Sequence, residues 1–341
     1  LKSFLIDTLK ATDRILSRGY LKLAGEKKHL LCFLFHGIFR DRQERSLHLL
    51  DAEHGITIDQ FRVFVEYMLD CQYTFVSPDD ILQGLQSEKK YVMITFDDGY
   101  FSNQFVLPVL REFHVPAVFF ISTYHIINQR CFWWDVLYRN RIGQDVCPQD
   151  RYAEIIRLKR LTNDEIEQNL IREFGSDAFK PVSDIDRPFT LAELKNFSRE
   201  KYVHLGNHTR DHAILTNYSP EAIAEQIAAA QNDLRELTGI TPKIISYPNG
   251  SYNDKIIEIS RQADIALGIT VDPKKNRLPV TLRDNQALLL GRYALQGDDD
   301  IVNQCDIYRA GIRLYDRIRT FWEARHEFIP IGYENTWQGP M

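Results

Sequence analysis

The stretch Thr95-Phe96-Asp97-Asp98-Gly99-Tyr100 places two adjacent carboxylates directly after a strongly apolar run, with a glycine behind them that permits a tight turn. In parallel α/β folds, ligands and catalytic groups gather at the carboxyl ends of strands. Neighbouring residues there point in different directions, so one aspartate can hold a cation while the other faces substrate. The competing structural account is a helix N-cap with a second acidic residue in the first turn. A second signal is His208-Thr209-Arg210-Asp211-His212. Two histidines four residues apart can share one helical face, and neutral imidazoles are good ligands for zinc-like ions. His204, just upstream, reads as structural. A His-x-x-x-His pair alone arises often by chance. Joined by a carboxylate from another strand end, it becomes a two-histidine, one-carboxylate set with open positions, so Asp98, His208 and His212 are the candidate metal ligands.

Two further strand ends could contribute. Ser246-Tyr247-Pro248-Asn249-Gly250-Ser251-Tyr252 follows an apolar run and reads as a turn before a helix. It is either a plain connector or a loop whose backbone N–H groups face a developing oxyanion. Leu34-Phe35-His36-Gly37 ends the first apolar run with a histidine. Such a histidine is often a hydrogen-bonded structural residue, but at the rim of a metal site it is a candidate general acid, because imidazole titrates near neutral pH.

These residues need a scaffold that brings strand ends together, and the chain has the pattern of one. Apolar runs alternate with amphipathic stretches, which implies parallel strands with helices packed outside them. Strands are expected at Leu30–Phe35, Tyr91–Phe96, Pro116–Ser122, Tyr202–Leu205, Lys243–Tyr247, Ile265–Thr270 and Leu288–Tyr293. Helices are expected at Thr57–Leu69, Phe105–Phe113, Leu191–Ser198, Ser219–Leu237 and Tyr252–Ala263, with a closing helix at Asp298–Arg325. About seven strands suggest a closed or nearly closed barrel. Between 124 and 187 the alternation loosens into an aromatic cluster (Phe132, Trp133, Trp134, Tyr138) and a charged helical stretch from Asp150 to Phe174, read as an insertion or lid. The boundaries that follow are an N-terminal helical extension at 1–29, the main domain at 30–297 and a C-terminal helical extension at 298–341.

Composition narrows the class. The chain has 341 residues, 44% hydrophobic and 26% charged, close to the average soluble globular protein. The formal charge of −5 gives no basic footprint for nucleic acid. The longest apolar run, Leu30–Phe35, is far short of the ~20 residues of a membrane helix. Five cysteines (Cys32, Cys71, Cys131, Cys147, Cys305), an odd number without a C-x-x-C pair, fit a reducing compartment better than a disulfide framework. The first 25 residues have a helical apolar pattern broken by charges, unlike a signal peptide, so a cytoplasmic location is expected. That amphipathic segment is a short docking helix or, less simply, a contact with a membrane surface or another subunit.

Three ordered motifs carry a resemblance. Thr95–Gly99 as TFDDG, His208–His212 as H-T-x-x-H and Tyr247-Pro248-Asn249-Gly250 resemble the polysaccharide deacetylase (NodB-homology) family, carbohydrate esterase family 4. Leu107–Leu110, Pro116–Phe120 and Thr238-Gly239 sit where that family has similar strings, so the likeness spans roughly Leu30 to Tyr293. The resemblance implies an α/β fold, a distorted (β/α)7 barrel holding one divalent metal ion, usually zinc-like, that hydrolyses an N-acetyl group on a hexosamine. By position, Asp97 is the implied general base, Asp98, His208 and His212 the metal ligands, and the Asn249 backbone N–H, beside Pro248, the oxyanion neighbour. Two departures stand out. Many family members have an Arg two residues before the proline, tethering the catalytic Asp, where this chain has Ser246; Arg292 is the candidate substitute, against a plain surface or core-edge arginine. The late Leu-x-His motif that supplies the acid is absent, since Leu290-Gly291-Arg292 has no histidine, but some relatives place that histidine on the first strand, and Leu34-Phe35-His36 fits.

The leading expectation is therefore a metal-dependent N-deacetylase acting on an N-acetylated glycan or glycolipid, either a surface polysaccharide or its lipid-linked precursor. One alternative keeps the metal and changes the bond, to O-deacetylation or deformylation of an amino sugar. Another, motivated by the two departures, is a sugar-binding relative without turnover. Trp133 and Trp134 are candidates for stacking on sugar rings, against the account that they anchor the insertion. The charged stretch Arg157–Arg172 is most simply a solvated helical face.

Overall fold

The computed structural model describes residues 2–50, 55–142, 148–315 and 318. Cys147 and most of the expected closing helix beyond 315 lie outside the described residues.

Seven parallel strands form the central sheet: β1 (Leu30–Phe35), β2 (Tyr91–Phe96), β3 (Ala117–Ile121), β4 (Val203–Asn207), β5 (Ile244–Ser246), β6 (Leu267–Ile269) and β7 (Tyr293–Ala294). Their order is β7-β1-β2-β3-β4-β5-β6, and the two-residue strand Thr74–Phe75 pairs beside β2. The sheet curls until its edges meet. Leu290 bridges Ile269 of β6, while Tyr293 and Ala294 register with Phe33 and Leu34 of β1. A short segment thus touches both edges, and the result is the expected distorted (β/α)7 barrel.

The unbroken apolar runs follow from burial on both faces. Alternate residues sort into two cores. Leu31, Phe33, Phe35, Val92, Ile94, Phe96, Ala117, Phe119 and Leu205 pack in one, which also holds the helical residues Phe61, Phe64 and Leu194. Leu30, Cys32, Met93, Val118, Phe120, Ile244 and Leu267 pack in the other, the barrel interior. Continuing the interior parity to or past each strand end reaches His36, Asp97, Ser122, His208, Ser246 and, before β7, Arg292. Gly206 shares that parity, and a Cβ there would stand 2.3 Å from the Phe120 ring.

Two expectations about elements are corrected. The expected strand Leu288–Tyr293 is a 3-10 turn, Asn285–Leu288, then a single bridge at Leu290 and the two-residue β7. The closing helix is Ile301–Ala310 and stops at Gly311, whose φ of 79° ends it. That helix packs on the N-terminal helix Lys2–Leu23 through Arg18 to Asp306 (3.1 Å) and Lys10 to Asp299 (3.0 Å). Asp13, buried in the same helix, accepts the backbone N–H groups of Leu314 and Tyr315. The extension is docked by these contacts. No helix of the described residues is long and apolar enough to cross a membrane.

Between β3 and β4 the chain is helical, with Thr123–Asn128, Trp133–Arg141, Pro148–Leu158 and Asn163–Phe174. The charged helical stretch consists of two helices, because Thr162 caps the second by accepting from the Glu165 backbone, and Glu165 answers in a capping box. Its apolar side joins Cys131, Val136, Leu158, Ile166, Leu170 and Phe179 in a small core of its own.

Candidate metal centre and its aspartate neighbour

β2 delivers the two aspartates to different places. Asp97 keeps the strand's alternation and enters the barrel interior. Asp98 takes a left-handed φ of 77°, followed by Gly99 at 93°, and the chain swings out of the barrel. Asp is among the few residues that tolerate this region, and Gly adopts it freely.

Asp97 is clamped by Arg292. Nη1 donates to Asp97 Oδ1 at 2.7 Å, and Nη2 to Oδ2. Nη1 also reaches Thr95 Oγ1 at 3.1 Å, and Nη2 reaches Ser246 Oγ at 2.9 Å, while that hydroxyl donates to Asp97 Oδ2 at 3.2 Å. Arg292 is 2% exposed and Asp97 4%, so this bidentate pair is desolvated. Burial alone would raise the Asp97 carboxyl, but the Arg292 guanidinium, with His208 and His36, outweighs it and holds the group well below the usual carboxylate range. Arg292 is therefore neither a surface nor a core-edge arginine.

His208 follows β4 and keeps its interior parity. Its Nδ1 lies 2.7 Å from the Ser246 carbonyl, an acceptor, so Nδ1 carries the proton and Nε2 presents a lone pair. Nε2 lies 3.3 Å from Asp98 Oδ1, and His212 Nε2 is 3.5 Å from the same oxygen. The ligand atoms of Asp98, His208 and His212 all fall within 4.8 Å of one another. Both Asp98 oxygens and His208 Nε2 are buried with no well-formed hydrogen bond. Buried polar atoms are rarely left so, and a hard or borderline divalent cation would satisfy all three at once. Burial, with His208 and His125 nearby, pushes His212 well below its ordinary value, which keeps the imidazole neutral. The same burial acts on His208, but Asp97 and Asp98 outweigh it and raise the group.

The histidine pair is not on a helix. His208–His212 is a loop in which Thr209 and His212 both have positive φ, 61° and 60°. Thr209 N donates to Asn207 Oδ1 at 2.8 Å, and Thr209 Oγ1 accepts from Ala213 N at 2.8 Å, folding the loop back on itself. Ring centroids of the two imidazoles end 4.8 Å apart.

His36 stands beside Asp97, because Phe35 and Phe96 are in register and Asp97 N donates to the Phe35 carbonyl at 2.9 Å. Pro248 is buried at the turn after β5, and Asn249 is exposed with φ 57°. The Asn249 side-chain oxygen accepts from Lys159 of the insertion at 2.6 Å. The two tryptophans part company. Trp133 is turned into the insertion core and is 3% exposed, so its faces are not offered to a ligand, which corrects its reading as a stacking candidate. Trp134 lies against the site, its ring 4.4 Å from that of His212. Sequence reasoning missed Tyr100 and Asp135, which hold Trp134: Trp134 Nε1 donates to Tyr100 Oη at 2.9 Å, and Tyr100 to Asp135 Oδ2 at 2.5 Å. An acidic residue inside an aromatic cluster was the available signal.

With this geometry in view, residues 84–268 match the family model described as polysaccharide deacetylase, more than half of the 341-residue chain. The chain belongs to the polysaccharide deacetylase family. A curated relative, "Putative polysaccharide deacetylase YxkH" of Bacillus subtilis (strain 168), is 20% identical over 219 residues, 63% of this chain; the chain spans 58% of that relative's length. Among solved structures, the fold is similar to Streptococcus pyogenes deacetylase PplD in complex with acetate (18% identity, TM-score 0.57, 83% of this chain and 99% of that one). It is also similar to a de-N-acetylase from Aggregatibacter actinomycetemcomitans (13% identity, TM-score 0.55, 82% of this chain and 100% of that one). The match to the polysaccharide deacetylase family contains Asp97, Asp98, His208 and His212 but stops short of His36 and Arg292 on either side.

Proposed function

We propose that the protein is a metal-dependent hydrolase that removes N-acetyl groups from N-acetylhexosamine residues of a surface polysaccharide or its lipid-linked precursor. The observation behind this reading is the convergence of buried, unsatisfied Asp98, His208 and His212 atoms beside an arginine-clamped aspartate. Those three residues would hold one divalent ion, zinc by its ligand set. Bound there, such an ion polarises an acyl carbonyl and acidifies water.

The chain's own residues divide the remaining work. Asp97 takes the proton of the attacking water. Held so far below the ordinary range, it is a weak base, so it depends on water that is already acidified. Arg292 and Ser246 fix its orientation. His36, at the adjacent strand end, gives a proton to the leaving amine, and the Asn249 backbone N–H faces the developing oxyanion. The exposed edge of Trp134 meets the sugar. The similarity in fold to the Aggregatibacter de-N-acetylase favours an amide over an ester bond. A reducing, cytoplasmic location is supported by Cys32, Cys71, Cys131 and Cys305, all free.

The test is metal content together with acetate release from N-acetylglucosamine oligomers and from matched O-acetyl esters. We expect one ion per chain and chelator-sensitive release from the amide, with Asp97→Asn losing ~10²-fold or more. Turnover of the ester alone would point to an O-deacetylase. Absence of stoichiometric metal, with activity unchanged in Asp97→Asn, would overturn the reading.

A further inference from the structure

The two histidines of the candidate metal centre are held in unlike ways. His208 has a hydrogen bond on the far side of its ring, to the Ser246 carbonyl. Metal-bound histidines nearly always have such a partner, because it fixes tautomer and ring plane together. His212 has none. Its Nδ1 is buried without a partner, and its backbone sits in the left-handed region at φ 60°. Something else must keep the ring in place.

Packing from the insertion does so. The Trp134 ring meets His212 at 4.4 Å between centroids, inclined by 58°. Behind Trp134 lies Phe132, stacked at 4.9 Å and 16°, and behind that His125, at 4.2 Å. A stack of three rings can slide unless it is pinned, and the pin is polar. The Trp134 indole N–H donates to Tyr100 Oη, and Tyr100 donates to Asp135, which is fully buried. Tyr100 is two residues beyond Asp98 in the same turn. One phenol therefore ties the carboxylate ligand's turn to the aromatic wall against the histidine ligand.

We infer that Tyr100 is a positioning residue for the metal centre: through Asp135 and Trp134 it sets the ring plane of His212, taking the place of the missing hydrogen bond. This rests on the metal-site reading above. It makes the insertion part of the centre rather than an appendage.

The test measures metal affinity, not turnover. Zn²⁺ and Co²⁺ are titrated into the metal-stripped protein in competition with a chromophoric chelator, for wild type, Tyr100→Phe and Trp134→Phe. Tyr100→Phe keeps the ring and removes the hydroxyl; Trp134→Phe keeps an aromatic face and removes the N–H. Each is expected to weaken binding by ~10–100-fold and to shift the visible absorption of bound Co²⁺, which reports ligand geometry. Unfolding of the stripped proteins separates this from a merely structural role, which would lower Tm and leave affinity and spectrum alone. Wild-type affinity and an unshifted spectrum in either folded variant would overturn the inference while leaving the metal site intact. Failure of wild type to bind either ion would instead remove the metal-site reading, and this inference with it.

Discussion

Replacing Arg292 with methionine strips the most heavily bonded charge in the barrel and leaves Asp97 buried alone. The guanidinium makes two hydrogen bonds to that carboxylate and one each to Thr95 and Ser246, at 2% exposure. Breaking a buried pair by removing one partner costs ~3–5 kcal/mol, most of it the desolvation of the charge left behind. The pH dependence has a definite sign. In the wild type, burial pulls the Asp97 carboxyl up, but Arg292, His208 and His36 hold it below 3.8, so its contribution is present above that value and lost only as pH falls through the lower folded one. Without Arg292 the burial effect gains ground and the folded value climbs. Arg292→Met should therefore lose most at pH 7 and recover part of the deficit as pH falls towards ~4. Urea unfolding across that range reads the effect. In the cycle with Asp97→Asn, the double variant should lose ~1–3 kcal/mol less than the sum of the singles. Arg292→Lys should fall between, since an ammonium keeps the charge but not the bidentate fork. A deficit under ~1 kcal/mol at pH 7, or one that grows on acidification, would refute the clamp.

Two other expectations concern the scaffold. His29, 3% exposed, is pushed down to about 4, chiefly by burial and then by Lys275, so the unfolded chain takes up a proton that the folded one refuses. Its contribution is present above ~6.5 and fades as pH drops towards 4; between pH 7 and 5 this amounts to about 2 kcal/mol, and His29→Gln should flatten the urea-derived stability profile by that much. Gly206→Ala would set a Cβ 2.3 Å from the Phe120 ring, in a barrel interior that cannot widen. A loss of ~1–3 kcal/mol is expected, and Phe120→Leu in the same chain should return part of it.

Much of this was legible in the residues because a parallel barrel obeys a period of two. Leu30–Phe35 and Tyr91–Phe96 could be only buried strands, and counting alternate positions past their ends puts His36 and Asp97 on one interior rim. Arg292 was legible only as a candidate, since the strand it precedes is two residues long and leaves no pattern to count. The histidine pair was identified while its conformation was misread. A spacing of four fits a helix, but Thr209 and His212 at φ 61° and 60° belong to a loop with no sequence period. Trp133 and Trp134 could not be told apart because neighbours on a helix face ~100° away from each other, and which one faces inward is decided by the insertion's own core. The Tyr100–Asp135 contact joins residues 35 apart and depends on how that insertion seats.

The family resemblance leads one to expect an arginine where Ser246 stands, and an arginine does reach the Asp97 carboxylate, as Arg292 from just before β7. Inside a closed ring of staves, every stave faces the same hollow, so a long side chain can be supplied from several of them and arrive at one spot. Comparing such chains column by column would score this one as defective at that position. Asking instead which atoms surround the carboxylate finds a guanidinium in place.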